Sequence, residues 1–404
     1  MYGEASRLLG LAGLRVTCVV VRDDDGLDLE VETVTRPGPC PHCGGSDLVT
    51  KERPVVAVRD LPLAGRVARL LWRKRRFRCR GCGRTHTEKH PALPARQRVS
   101  GRFRERLADR AAAGGAHAEI AREEDTSRYQ VTRALALVPV APAGLVRRLS
   151  LDEAHHRRGH ELSTVVSDLD RRRVVEVLPG RSRVMVARYL RGLPEEVRSG
   201  IEVVSIDPYE PYRQAIRAEL PGVRIVADRF HLVRGANAAL DAVRRERQRQ
   251  VGRRRPKGVR RSGQMATWRP ELYRVRRLLA KSRERLSERE RRRLCELFAV
   301  DPVIGAAWGL KEAFRSIYRA PDRVEAEVRL DLFLGAVERE VLPAFASFAT
   351  GVRLWREELL AFFDEPTTNG YAEGVINKVK VIKRRAYGLP SFESFRHRIL
   401  VACG

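Results

Sequence analysis

The feature that most restricts the fold of this chain is a pair of tight cysteine turns, Cys40-Pro41-His42-Cys43 and Cys79-Arg80-Gly81-Cys82. Each turn delivers two sulfurs to one point. Two such turns close a tetrahedral thiolate shell around zinc, a site that builds structure and keeps no open position for catalysis. The gap of 35 residues between Cys43 and Cys79 exceeds the common short spacing but holds a hairpin easily, and the strand-like run RVARLLWRKRRFRC, residues 66–79, leads into the second pair. A redox pair or unliganded thiols are the alternatives; in a large basic chain the paired spacing favours metal. His86 and His90, beside a complete set of four thiols, are expected at the surface. Cys18, Cys295 and Cys403 lack a paired neighbour and are expected as packing residues.

Charge narrows the partner. Among 404 residues, 79 Lys and Arg oppose 51 Asp and Glu, a net charge of +28, while 43% hydrophobic residues exclude global disorder. A field of that sign holds a polyanion and releases its counterions, so nucleic acid is the first partner to consider. A basic membrane-surface protein is the rival. No apolar run of about 18 residues, secretory leader or lipidation signal supports it, so the expectation is a soluble bacterial protein of the cytoplasm and nucleoid with no membrane partner. The length allows two or three domains.

Along the chain, LRVTCVVVRDDDGLDLEVETV reads as two strands joined by an acidic turn, Asp23 to Gly26. Residues 98–138 contain three helical stretches, broken at Gly114-Gly115 and at Asp125-Thr126-Ser127. The last is capped by Ser127 and carries Arg128, Gln130, Thr132 and Arg133 near its start, as the second helix of a helix-turn-helix would. A small helical bundle without DNA contact shows the same pattern. Pro139 to Gly144 reads as a linker. Three short strands follow, then a helix over about 182–199, a strand ending VVSID, a helix over about 212–219 and the strand VRIVAD: a mixed α/β sheet. From His231 to about Phe363 the chain is helical and basic. Its densest stretch, Arg244 to Arg261 with Arg253, Arg254 and Arg255, is expected as a phosphate-contacting loop between helices.

Asp152 in LSLD and Asp207 in VVSID are each expected to end a strand, where a carboxylate can hold a hydrated hard cation. Near the C-terminus, Ala372, Val375, Val379, Ile382 and Ala386 form one helical stripe, and Glu373, Asn377, Lys380 and Arg384 share the opposite side. A merely solvated polar face is the plain reading of that stripe. A third carboxylate delivered to Asp152 and Asp207 would complete a set suited to two-metal phosphoryl chemistry. Asp228 in VADRFH competes with Asp207. Asp168 and Asp170, before three arginines, read as turn residues.

In order, CPHC and CRGC, the helix-turn-helix, LDEAHHRRGHELSTVVSDLD, VVSIDPYEPY, VADRFHLVRGANAAL and NGYAEGVINKVKVIKRRAYGLPSFESFRHRIL resemble the ISL3 family of bacterial insertion-sequence transposases over essentially the whole chain. The resemblance implies four regions. They are a zinc-binding domain (1–95), a helix-turn-helix (96–140), an RNase H-like DDE catalytic domain (141–234 and 364–404) and a helical basic insertion (235–363). It implies Asp152, Asp207 and Glu373 as catalytic ligands of two Mg²⁺ ions, Lys380 as a contact to the element end, and Asp228 and His231 as accessory residues rather than ligands. Arg384 joins the DNA-contact candidates with Arg128, Gln130, Arg133 and Arg253 to Arg255. Implied partners are the element's terminal inverted repeats, target DNA and further copies of the chain on paired ends. A DNA-binding regulator with a non-catalytic α/β domain, or a junction-type nuclease sharing the metal site, remains open on the sequence.

Overall fold

A computed structural model describes residues 2–93, 98–142, 144–155, 162–253, 274–367, 370–386 and 391–404. The chain divides into two compact units, Met1–Val140 with Ile382–Ala402, and Ala141–Val381 with Cys403–Gly404.

In the first unit, helix α1 (Tyr2–Leu9), which carries no sequence signal noted above, precedes strands β1 (Leu14–Val21) and β2 (Leu27–Thr33). They pair as an antiparallel hairpin whose acidic turn places Asp25 at φ 62°, with the Gly26 N–H donating to Asp24 Oδ1 at 3.1 Å. Along β2, Leu27, Leu29, Val31 and Thr33 point into the core and alternate with Asp28, Glu30 and Glu32, the period-2 pattern that fixes register. Strands β3 (Leu48–Glu52), β4 (Val55–Arg59), β5 (Ala68–Arg73), β6 (Arg76–Cys79) and β7 (Thr85–Thr87) complete two sheets, ordered β1-β2-β5-β4 and β3-β6-β7. Leu29, Val31, Leu70 and Trp72 fill the core of the first sheet.

Helices α2 (Gly101–Ala112), α3 (His117–Glu123) and α4 (Arg128–Ala136) then pack around Phe103, Leu107, Ile120 and Val131. Ser100 and Ser127 cap α2 and α4, each accepting a backbone N–H three residues on. Buried Glu124, at the end of α3, accepts from Arg106 at 2.8 Å and Arg110 at 2.6 Å on α2, so this carboxylate is paired rather than stranded.

The second unit is built on five strands: β8 (Arg148–His155), β9 (Leu162–Asp168), β10 (Arg173–Leu178), β11 (Val203–Ile206) and β12 (Arg224–Ala227), in the order β10-β9-β8-β11-β12. The first three form an antiparallel meander; β11 and β12 run parallel to β8. The expected helix over 182–199 is two, α5 (Arg183–Arg191) and α6 (Glu195–Ser199), because Gly192 and Pro194 interrupt it. Helix α7 (Glu210–Glu219) connects β11 to β12. The helical part comprises α8 (Arg229–Arg253), α9 (Arg276–Ala280), α10 (Glu288–Val300), α11 (Pro302–Ile317), α12 (Arg323–Glu340), α13 (Pro343–Leu354) and α14 (Arg356–Asp364).

These helices do not have a core of their own. Leu149, Leu151, Val204 and Ile206 of the sheet belong to one continuous apolar cluster with Ala236 and Leu240 of α8 and Phe314, Phe333 and Phe345 of α11 to α13. Each such buried side chain contributes about 1.5–3 kcal/mol, so sheet and helices stabilise one another.

Helix α15 (Gly370–Arg385) follows, then α16 (Phe392–Cys403). The tail expected with the sheet packs in the first unit instead. Val401 sits against the α2–α4 cluster, His397 Nε2 lies 2.9 Å from Leu135 O, and Arg398 donates to Gly115 O at 2.6 Å. Two further expectations change. Arg244 to Arg253 form the last turns of α8 rather than a loop, and Cys295 is exposed rather than packed. No described helix is long and apolar enough to cross a membrane.

Candidate active site

Parallel register aligns the carboxylates, with Asp207 directly following β11 as expected. Ile206 pairs with Leu151 and with Ala227, so Asp207, Asp152 and Asp228 follow level with one another on three neighbouring strands. Asp152 does not end its strand as expected: β8 continues to His155, and Asp152 pairs with Val165 of β9 in the central strand of the sheet. Its carboxyl is pushed up to about 6, by burial first and by the Asp207 carboxylate second.

The Asp207 and Asp228 carboxylates differ in their partners. Asp228 Oδ1 accepts the Phe230 N–H at 3.2 Å, and Oδ2 accepts both the His231 N–H at 3.3 Å and its ring Nδ1–H at 2.7 Å, so Asp228 caps the start of α8. Burial would lower the His231 imidazole, but hydrogen bonds to Asp207 and Asp228 raise it to about 9. His231 Nδ1 also lies 2.6 Å from Asp207 Oδ1. The Nδ1–H of this cationic ring therefore bridges the two carboxylates, and it is the one side-chain partner of Asp207 among the described residues. Asp207, Asp228 and His231 offer ligand atoms within 4.8 Å of one another, and of the two carboxylates Asp207 has the fewer partners.

Helix α15 supplies the third side. Ala372, Val375, Val379, Ile382 and Ala386 are all buried, as their spacing predicts. Glu373, Asn377 and Lys380 are exposed on its other face and line a cleft of about 460 Å³ with Asp152, Asp207 and Asp228. Glu373 and Lys380 lie two turns, about 10 Å, apart along the axis. Arg384, exposed on the same helix, does not line the cleft. Sequence reasoning missed Glu153, Arg229 and Arg234, which also line it; Glu153 and Arg229 directly follow Asp152 and Asp228, and Arg234 lies further along α8. Asp168 behaves as the expected turn residue, accepting the Asp170 and Arg171 N–H groups.

The four cysteines of the first unit also converge. Cys40 Sγ lies 3.7 Å from Cys82 Sγ, and Cys43 Sγ 3.6 Å from Cys79 Sγ. Zn–S bonds of 2.3 Å in a tetrahedron put neighbouring sulfurs about 3.8 Å apart, so the thiols stand where a zinc shell would hold them. The two turns repeat one design. The Gly44 N–H donates to Cys40 O and the Gly83 N–H to Cys79 O, both at 2.9 Å, with Gly44 and Gly83 at φ +74° and +71°. That left-handed conformation is why glycine follows each second cysteine. The Cys40 thiol is lowered to about 7, chiefly by the His42 backbone N–H. His86 and His90 are outside the cluster; the His90 ring meets Ala12 O at 3.0 Å.

Of the helix-turn-helix candidates, Arg128 and Arg133 are exposed on α4 and Gln130 is half-buried. Arg253 is the last residue of α8, and Arg254 and Arg255 lie outside the described residues.

An aligned carboxylate row, a helix-borne acid and base, and a four-thiol knuckle define a class of DNA-processing enzyme. The chain belongs to the ISL3 family of DDE transposases: the family model described as a transposase matches residues 149–399, and that for the zinc finger of the IS204/IS1001/IS1096/IS1165 transposases matches residues 36–82. It is 28% identical over 369 residues to the transposase for insertion sequence element IS1001 of Bordetella parapertussis, covering 90% of this chain and 88% of that one. Over 256 residues it is 30% identical to the transposase for element IS1557 of Mycobacterium tuberculosis, covering 61% and 57%. Membership makes it a nucleic-acid-processing enzyme with DNA as partner, and gives the four-cysteine cluster its zinc.

Proposed function

We propose that the five-stranded sheet is an RNase H-like catalytic domain in which Asp152, Asp207 and Glu373 act on the terminal inverted repeats of the chain's own element, cutting at the 3′ ends and joining them to target DNA. The observation that carries this reading is that the Asp152, Asp207 and Glu373 carboxylates line one cleft together with Lys380.

The three carboxylates would hold two Mg²⁺ ions, which supply Lewis acidity for the attacking and leaving oxygens of an in-line displacement. Asp152 and Asp207 orient the attacking oxygen toward phosphorus. In the first step water adds to the phosphorus, loses a proton, and the bond to the 3′ oxygen breaks. In the second, that freed 3′-hydroxyl attacks a target phosphodiester and the target's own 3′ oxygen departs. No protein nucleophile is needed. Lys380 neutralises a phosphate of the bound end, and Asp228 and His231 are positioning residues: the ring bridges Asp228 and Asp207. The zinc knuckle and α2–α4, read as a helix-turn-helix with Arg128, Gln130 and Arg133 facing DNA, serve end recognition, and two or more copies assemble on paired ends.

Cleavage of a labelled element end in Mg²⁺, measured for wild type, Asp207→Asn and Glu373→Gln, tests this. Loss of product by about a thousandfold in both variants, with DNA binding retained, supports it; full cleavage by either variant overturns it.

A further inference from the structure

We infer that α8 to α10 carry a second contact surface, a cationic track for the backbone of duplex DNA beyond the scissile site. The inference rests on the reading above of this unit as the DNA-cutting part. Arg234, exposed and without an ion pair among the described residues, lines the carboxylate cleft and also a smaller depression along α8 that it shares with Arg245 and Arg276. Arg276 in turn lines a groove between α9 and α10, with Arg277, Arg289 and Arg293. The three depressions therefore join through shared arginines.

Charge along this path is poorly compensated. Asp241 is the acid at its middle, lying 3.3 Å from Arg245 and 3.6 Å from Arg276. Glu290, the acid of the groove, is engaged by Lys281 and by its capping box with Ser287. Arg277, Arg289 and Arg293 are exposed and make no ion pair with a described residue. Like-charged guanidiniums held together without counter-charges cost stability in the free protein, and a polyanion relieves them.

The groove is also held in shape. Lys311, fully buried on α11, donates to Leu279 O at 2.9 Å and Lys281 O at 2.7 Å, pinning the end of α9. Arg234 to Arg245 spans eleven residues, about 16 Å of helix, matching about five base pairs of B-DNA. A helix with an arginine at each end of that length, continuous through Arg276 with the arginine-lined groove and with a cleft for phosphodiester chemistry, fits duplex phosphates rather than base edges.

Salt-dependent binding of the full-length protein to a mixed-sequence duplex of about 30 base pairs tests the track. The triple substitution Arg277→Ala, Arg289→Ala, Arg293→Ala is expected to flatten the slope of log K against log salt by about 2.7. The matching triple Lys variant keeps the wild-type slope, which separates lost charge from lost fold. An unchanged slope in the Ala variant, or a change only with single-stranded RNA, overturns the track. Cleavage assays separate the two readings: an unchanged slope with Asp207-dependent cleavage discards the track alone, and a flattened slope without any cleavage discards the catalytic reading alone.

Discussion

The two sites suited to cations are opposites in construction. Four thiols come from two short turns that repeat the same hydrogen bonds, and each ligand is spent on closing the shell. The carboxylates come from β8, the end of β11 and α15, up to 221 residues apart in sequence from Asp152 to Glu373, and they gather like charges that raise the Asp152 carboxyl. A closed site stores folding energy. An open one withholds it, keeping charges apart until a cation and a substrate arrive.

The sharpest way to break that contrast is to remove one ligand from each site and follow stability. Cys43→Ser, or chelation, is expected to unfold the β3-β6-β7 sheet, since structural zinc contributes on the order of 10 kcal/mol; circular dichroism and zinc content check it. Asp207→Asn is expected to leave the fold nearly unchanged in metal-free protein. It removes the like charge beside Asp152 but also the His231 ion pair, so a denaturant titration shifts by no more than about 1–2 kcal/mol, while cleavage is lost. If both variants destabilise alike, the distinction between closed and open fails.

That contrast also explains what was legible in the sequence. The cysteine knuckles could be read because their geometry is local: Cys-x-x-Cys followed by glycine fixes the turn. The apolar stripe of α15 was equally plain from its 3.6-residue period. Asp152 was assigned to a strand end that it does not occupy, because the site depends on register between β8 and β11, and one sequence does not state how far a strand runs past its active residue. The bridge from His231 to Asp207, and the shared core of sheet and helices, likewise depend on packing between separate segments. The arginine run from Arg244 looked like a loop because charge hid a helix whose buried face is sparse.

Smaller effects probe the first unit. His117, half-buried on α3 and 3.0 Å from Thr132 Oγ1, is lowered to about 4, by burial first and then by Arg398 and Arg128. A histidine whose folded value is depressed stabilises the fold above its ordinary value near 6.5, and that contribution is lost as pH falls toward 4, because the unfolded chain binds the proton more readily. The loss is on the order of 1–2 kcal/mol after solvent screening, and His117→Gln flattens the stability profile over that window. Smallest is Ser127→Ala, which removes the cap of α4 and costs about 1 kcal/mol in thermal unfolding.

The central claim is that three distant segments meet at one cation site. Loading the metal-free, full-length protein with Fe²⁺ and generating hydroxyl radicals with ascorbate cuts the backbone wherever the ion is bound. The account predicts cuts near Asp152, near Asp207 and near Glu373, all three suppressed together by excess Mg²⁺. Cuts confined to one of these segments, or a pattern indifferent to Mg²⁺, would contradict it.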